Sequence, residues 1–291
     1  MELLVTLRKK ELLNKIGSLV DGVIVGEHFT SGYNFTDDDL KSIRDYCYTA
    51  RLKYYIVLDN FITEDEEMML HKYLDLIADL DPDGIFFHDL GVMEAAKVHG
   101  LFSKLIYDGK TVLCNSLDSA FMLTKGIDSV MISREITLEE IYEIAKNTDG
   151  RINMQIFGHQ RLSYSRRKFL SNYFHQINKK YDYLNKESLY LIEEQRDYKM
   201  PIVEDDNGTY IYSDYIFEMF LEISDLRPYL KRGIIETRFI DNDNFLVQVC
   251  RDYHRVNDSN KEFIRDALLY NYPYEYSTGY LYQKTNKTKD E

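Results

Sequence analysis

The amino-acid sequence predicts an α/β fold: a (β/α)8 TIM-barrel-like chain with an insertion carrying a β-hairpin after the seventh strand. Three observations carry that expectation. Short apolar runs alternate with stretches of 3.6-residue periodicity up to about residue 160. The runs are apolar at successive positions, so both faces of each strand are due to be covered, as in a parallel sheet wrapped by helices. Seven such units fit before residue 160, which favours a closed barrel over an open sheet.

Taken in order, strands are expected at Leu3–Leu7, Val23–Gly26, Tyr54–Leu58, Gly84–Phe87, Leu105–Tyr107, Ser129–Ile132 and Asn153–Phe157. Between them the periodicity predicts amphipathic helices, among them Asp37–Tyr48, Glu64–Ala78 and Leu138–Lys146. Thr137 followed three residues on by Glu140 reads as a capping box. Hydroxyl and carboxylate there each satisfy a backbone N–H that the first helical turn leaves open, and Ile136 and Ile141 are placed to clasp across it. Thr36 with Asp39 and Thr63 with Glu66 repeat the signal less strongly. An eighth strand is expected at Ile234–Phe239 and a closing helix at Asp258–Tyr270. In the insertion, Pro201–Val203 and Tyr210–Tyr212 flank the turn Asp205–Gly208, whose Asn-Gly pair is a strong hairpin signal. The chain then divides into residues 1–160 (seven βα units), 161–232 (basic segment and hairpin), 233–275 (last strand and helix) and a tail 276–291, expected to fray from Thr285 to Glu291.

Composition narrows the function classes. The 291 residues include 49 acidic and 36 basic side chains, a net charge of −13. A uniformly acidic surface repels nucleic acid and anionic membrane, so a polyanion partner requires a local cationic patch. No apolar run approaches the roughly 20 residues that span a bilayer, and no membrane partner is expected. Cys47, Cys114 and Cys250 are scattered and odd in number, and the first residues lack the pattern of a secretory leader, which fits a reducing cytoplasm. Three thiols cannot alone furnish a four-cysteine iron–sulfur site.

In such barrels chemistry gathers where strands run out into βα loops. That rule selects Glu27 and His28, Asp59 and Asn60, His88 and Asp89, Asp108, Arg134 and Glu135, Phe157 to His159, and Glu236 with Arg238. Arg134-Glu135 could clamp a phosphate or carboxylate beside a base, or form an internal ion pair at a strand end. Glu27-His28 and His88-Asp89 could be acid–base pairs, although neighbours on one strand point to opposite faces. His28, His88 and His159 could converge on zinc, but no His-Glu-x-x-His supports this, and no metal is expected. Ser163 and Ser165 lack a nucleophile elbow, and Cys114 is expected to be an inert packed thiol.

The stretch Arg151–Tyr181 holds seven Lys and Arg and no Asp or Glu. Phe157, Tyr164, Phe169, Tyr173, Phe174 and Tyr181 are interleaved. Cations for phosphates beside rings for bases are what single-stranded RNA recognition needs. The alternative is a cationic segment answering the chain's own carboxylates.

Within this stretch, Leu162-Ser163-Tyr164-Ser165-Arg166-Arg167-Lys168-Phe169-Leu170-Ser171-Asn172-Tyr173 resembles the signature of the collagenase-like peptidase family U32, a Ser-Tyr-Ser-Gly-Arg-Cys core running into Leu-Ser-Asn-Tyr. Further likenesses fall in register: Asp21–Gly26 with the first strand–turn, Asp83–Asp89 with the fourth-strand motif, and Gly126–Ile141 with an Ala-Arg-Glu-Leu-Ser-Leu-Glu-Glu-Ile block. Pro201–Thr209 resembles the hairpin of a short, low-GC Gram-positive branch. The likeness runs from residue 2 to about residue 272.

The resemblance implies a barrel and one of two activities, peptide hydrolysis or RNA and quinone hydroxylation. The short branch is similar to the smaller of two paired proteins that hydroxylate the wobble uridine of tRNA at C5. Many members hold a 4Fe–4S cluster through four Cys. Here Arg161 and Lys168 align with the first two of those positions and Glu218 lies near the last. The stretch Asn178–Tyr183 offers no Cys either, so the cluster is expected to be absent. The family's Val-His-Gly reads Ile156-Phe157-Gly158 with His159 beyond it, and its Glu-Gly-Arg reads Glu236-Thr237-Arg238.

The leading expectation is therefore a cluster-free U32 protein acting in tRNA uridine C5-hydroxylation. Arg161, Tyr164, Arg166, Arg167, Lys168 and Asn172 would meet the anticodon loop. Arg134, Glu135, His88, Asp89 and His159 would carry chemistry, and Glu27, Glu236 and Arg238 would hold an unidentified small co-substrate. A longer U32 paralogue is the expected protein partner. The alternatives are a U32-type peptidase and a non-catalytic scaffold beside that paralogue.

Overall fold

A computed structural model describes residues 1–33, 35–192, 194 and 197–283. Its strands are β1 (Glu2–Thr6), β2 (Gly22–Val25), β3 (Lys53–Leu58), β4 (Gly84–Phe87), β5 (Leu105–Asp108), β6 (Ser129–Met131), β7 (Ile152–Ser165), β8 (Tyr190–Ile192), β9 (Lys199–Asp205), β10 (Gly208–Glu218), β11 (Arg232–Ile235) and β12 (Tyr276–Ser277). The helices are α1 (Leu13–Ile16), α2 (Asp37–Ala50), α3 (Glu67–Leu80), α4 (Leu90–Val98), α5 (Ser116–Leu123), α6 (Leu138–Asn147), α7 (Phe169–Gln176), α8 (Ile223–Leu226), α9 (Asp243–Arg255) and α10 (Lys261–Asn271).

Strands β1 to β7 pair in sequence, all parallel, and β11 pairs in parallel with both β1 and β7. That closes an eight-stranded barrel, as the alternation of strands and helices predicts. Alternate strand residues divide between two cores. Leu4, Ile24, Tyr55, Val57, Phe86, Ile106, Met131 and Ile234 fill the interior, while Leu3, Val5, Val23 and Ile85 join the larger cluster packed under the helices. Helix starts follow the caps read from the sequence. Asp39 N–H donates to Thr36 Oγ1 at 3.3 Å, and Glu140 N–H donates to Thr137 Oγ1 at 3.3 Å. Thr63 N–H donates to the Glu66 carboxylate at 2.8 Å.

The N-terminal end of the barrel is plugged by charge. Arg232, 3% exposed, donates to Asp128 at 2.7 Å, to Glu2 at 3.2 Å, to Tyr55 Oη at 3.0 Å and to Ser129 Oγ at 2.9 Å. Lys231 reaches the other oxygen of Asp128 at 2.6 Å, and Lys53 pairs with Glu2.

Three expectations need correction. The seventh strand does not stop at Phe157. It continues to Ser165, so the division at residue 160 cuts a strand whose outer half pairs antiparallel with β10. The eighth strand ends at Ile235, not Phe239, because Thr237 N–H and Oγ1 turn to Thr6 and Phe239 adopts φ +64°. The helix after it is α9, capped by Asn242 Oδ1 accepting from Phe245 N–H; the helix expected at Asp258–Tyr270 follows as α10. The hairpin lies where Asn-Gly placed it, with Gly208 opposite Asp205. The segment Thr285–Glu291 lies outside the described residues. Among the described residues, no helix is long and apolar enough to cross a membrane.

Candidate functional site

The outer half of β7 makes the site. At Gly158 the backbone takes φ +106°, and a Cβ there would sit 2.1 Å from the Glu236 carbonyl oxygen. Only glycine permits that approach. Gln155 Nε2 gathers the carbonyls of Phe157, Gly158 and His159 at 3.3, 3.1 and 3.1 Å, which fixes the bend. Beyond it β7 carries His159 and Arg161 to the C-terminal mouth of the barrel.

There they meet Arg8 beyond β1, Asp59 beyond β3, Asp108 and Lys110 at and beyond the end of β5, Arg134 beyond β6 and Glu236 beyond β11, around a pocket of about 90 Å³. Most of the charges are spoken for. Arg8 pairs with Glu236 at 2.8 Å, Arg161 with Asp59 at 2.9 Å, and Lys110 with Asp59 at 3.1 Å and with Asp108. Burial disfavours each ion, but the partners prevail. Asp59, Asp108 and Glu236 are held below the usual carboxylate range, and Arg8 and Arg161 above the usual guanidinium value.

Arg134 is different. Its Nη1 donates to the Arg161 carbonyl oxygen at 2.6 Å, and among the described residues no carboxylate lies within ion-pair distance. Burial, and then neighbouring Arg161, pull its pKa down against the attraction of Asp108. The mouth thus holds four permanent cations against three carboxylates, and a small anion entering beside Arg134 would complete the set. His159 stands at the same pocket. Its Nδ1 lies 2.8 Å from the Ser213 carbonyl, which can only accept, so Nδ1 carries the proton. Burial lowers its pKa and so favours the neutral ring, in which Nε2 is the acceptor.

The residues singled out by strand ends are therefore sorted. Arg134, His159, Arg161 and Glu236 converge on the mouth. Glu135 does not line that pocket, since adjacent residues face opposite ways; its N–H is bound by Ser133 Oγ at 3.1 Å. His88 lines an adjoining groove, while Asp89 uses both carboxylate oxygens on the N–H groups of Gly91 and Ile62, at 2.7 and 3.1 Å, as the cap of α4. They do not form an acid–base pair. Glu27 and His28 do meet, at 3.7 Å, because the chain turns at Phe29 with φ +55°. Arg238 faces a second, outer cavity of about 800 Å³ that Glu27 also lines, and it is tied to Glu187 at 2.9 Å and Tyr212 Oη at 2.9 Å. The three histidines do not gather. The ligand atoms that approach one another among the described residues are those of Glu27, His28 and Asp37, within 4.8 Å.

The cationic stretch divides in the same way. Arg151 serves the bottom of the barrel through the Ile127 and Asp128 carbonyls. Arg161 is buried against Asp59 and belongs to the mouth, not to an outer surface. Arg166, Arg167, Lys168 and Asn172 are exposed. Arg166 touches Glu66 only at 3.6 Å and Lys168 touches Asp206 at 3.8 Å. Helix α7 buries none of its residues; its N-terminus is held by Glu204, which accepts from Leu170 N–H at 2.7 Å, and it shows Phe169 and Tyr173 to solvent.

Sequence reasoning missed Arg8, Lys110, Tyr212 and Phe61. Arg8 lies just beyond the first strand, in an Arg-Lys-Lys run that looks like ordinary solvated surface. Lys110 sits at φ +59° after Asp108-Gly109, a turn signal that marks its return to the mouth. Tyr212 lies on the hairpin strand that Asn207-Gly208 announces, but no local pattern says that this strand reaches the mouth.

Residues 19–291 match the family model of peptidase family U32. The chain belongs to this family. Over 230 residues it is 28% identical to tRNA hydroxylation protein P2 of Bacillus subtilis, covering 77% of this chain and 74% of that protein. It is 26% identical over 273 residues to an uncharacterized protease of Methanocaldococcus jannaschii, covering 88% of this chain and 66% of that protein. It is 25% identical to tRNA hydroxylation protein P of Helicobacter pylori over 164 residues, which are 51% of this chain and 39% of that protein. Among solved structures, a U32 peptidase superposes with a TM-score of 0.51 at 14% identity, covering 81% of this chain and 92% of that one, a likeness of fold.

Of the residues that the resemblance aligns with cluster cysteines, Arg161 pairs with Asp59 at 2.9 Å, Lys168 lies 3.8 Å from Asp206, and Glu218 is committed to Arg265 at 2.7 Å. Cys47 and Cys250 are buried in α2 and α9 with thiols pushed up to about 12 by burial, and Cys114 is exposed beyond β5.

Proposed function

We propose that this U32 protein serves in tRNA wobble-uridine C5-hydroxylation, without an iron–sulfur cluster of its own and beside a longer U32 paralogue. One observation carries the reading. The cations from Arg161 to Lys168 are split between the barrel mouth, where Arg161 is paired with Asp59, and an exposed face of Arg166, Arg167 and Lys168, between β7 and α7, whose only acidic contacts among the described residues are long. Cations held so loosely by their own fold remain available to phosphates, and exposed Phe169 and Tyr173 beside them offer faces for bases. The names of the Bacillus and Helicobacter relatives point to the same RNA chemistry. The mouth, with Arg134 awaiting an anion and His159 offering an acceptor, is where the small co-substrate would bind.

The test is mass spectrometry of tRNA from a strain lacking this chain and any redundant pathway. Loss of 5-hydroxyuridine derivatives, restored by the wild-type gene, is the expected result. Unchanged modification would refute the reading and return the chain to peptide hydrolysis or to a scaffold role.

A further inference from the structure

Beside the mouth, and sharing Lys110 and Arg161 with it, runs a groove of about 480 Å³. Its wall is a ladder of three near-parallel rings. Tyr210 is buried with its hydroxyl on Asn60 at 3.0 Å. Tyr164 stacks on it at 4.7 Å and 12°, and its hydroxyl donates to the Asn207 carbonyl at 3.1 Å. Phe61 stacks next at 5.7 Å and 16°, and there the ladder ends, with Phe61 47% exposed. The ladder is anchored in the core at one end, and at the other its last ring is left half open to solvent.

His88 lines the same groove, with its ring edge-on to Phe61 at 4.8 Å. Its Nδ1 is 2.8 Å from the Asp108 carbonyl oxygen, so that nitrogen holds the proton. Burial, and then Lys110, lower its pKa and so favour the neutral ring, in which Nε2 is the acceptor. Arg166 stands close by, its guanidinium 3.4 Å from the Phe61 carbonyl. Asp89, the carboxylate of the groove, is already engaged as a helix cap.

We propose that this groove takes one unstacked nucleobase of the bound RNA, stacked on Phe61, with Arg166 at its phosphate. The proposal rests on the RNA reading above and adds where a base leaves the strand. The occupant is a base because a flat, half-open ring face, a single hydrogen-bond acceptor and an adjacent cation meet three features of a nucleotide at once: its π-face, its edge N–H and its phosphate. The groove shares Lys110 and Arg161 with the mouth, so a base held there lies beside the pocket that Arg134 and His159 line.

Fluorescence anisotropy of the full chain with an anticodon stem-loop RNA tests this. The RNA is compared intact and with an abasic site at each loop position in turn, against wild type, Phe61→Ala and Phe61→Trp. Phe61→Ala should weaken the intact RNA by about 10-fold, the loss of one base–aromatic stack, while Phe61→Trp retains binding. At one loop position the abasic RNA should bind wild type and Phe61→Ala alike. Equal binding of intact RNA by wild type and Phe61→Ala overturns the groove and leaves the RNA reading standing. The same holds if the loss is equal at every abasic position. Absence of binding by the wild-type chain overturns both.

Discussion

The two ends of the barrel are both charged, and they differ in one respect. At the N-terminal end Arg232 satisfies Asp128, Glu2, Tyr55 and Ser129 together, with Lys53 and Lys231 completing the carboxylates. At the C-terminal end Asp59, Asp108 and Glu236 hold Lys110, Arg161 and Arg8, and Arg134 is left with a backbone oxygen. A network that closes on itself is a device of stability. One that leaves a half-buried cation without a counter-charge stores a cost that a ligand can relieve. The difference separates structure from function more sharply than residue type does, since both ends use the same Arg and Asp chemistry.

The comparison breaks first at its bottom half. Arg232→Met leaves Asp128 to Lys231 and Glu2 to Lys53, removes the hydrogen bonds to Tyr55 and Ser129, and should cost about 1 to 3 kcal/mol in urea unfolding. If stability were unchanged, the lower network would be idle. The opposite substitution sharpens the contrast. Arg134→Met removes a cation without a counter-charge, so the melting temperature should hold or rise, while restoration of tRNA modification in a deletion strain should fall at least about 100-fold. A fall in melting temperature comparable to that of the Arg232 variant would make the two ends equivalent.

Next comes the surface beyond the mouth. Replacing Arg166, Arg167 and Lys168 together by Ala should reduce the salt dependence of RNA binding by roughly 2 in log–log slope, at about 0.7 per phosphate, with unchanged melting temperature. An unaltered slope would place the RNA elsewhere.

The smallest effect concerns Glu27, at the rim of the outer cavity. Burial, and then the Asp37 carboxylate, push its pKa from 4.5 up to about 8. In that window the folded chain holds a proton that the unfolded chain has released, so stability declines as pH rises through it. Glu27→Gln should remove that decline, as read from melting temperatures at about pH 5 and about pH 9.

Much of the barrel was legible because its signals are local. Thr36, Thr63 and Thr137 mark helix starts through bonds three residues away, and Asn207-Gly208 marks a turn by backbone preference alone. The extension of β7 was not legible. Its outer residues, from His159 to Ser165, are polar or half-exposed, and they are strand because β10 returns some 50 residues later to pair with them. The site shared that limit. Strand ends named Arg134, His159 and Glu236, but whether a charge is paired depends on partners such as Asp59 for Arg161, brought together only by closure. The cationic stretch showed the same thing: one run of sequence supplies the barrel bottom through Arg151, the mouth through Arg161 and the outer face through Arg166 to Lys168.

The most direct measurement is the 5-hydroxyuridine content of tRNA in a deletion strain complemented with wild type, Arg134→Met or the Arg166/Arg167/Lys168 triple variant, each paired with tRNA retention by the purified chain. The account predicts that both variants fail to restore the modification and that only the triple variant loses tRNA. Full modification with Arg134→Met, or loss of tRNA retention by that variant alone, would contradict it.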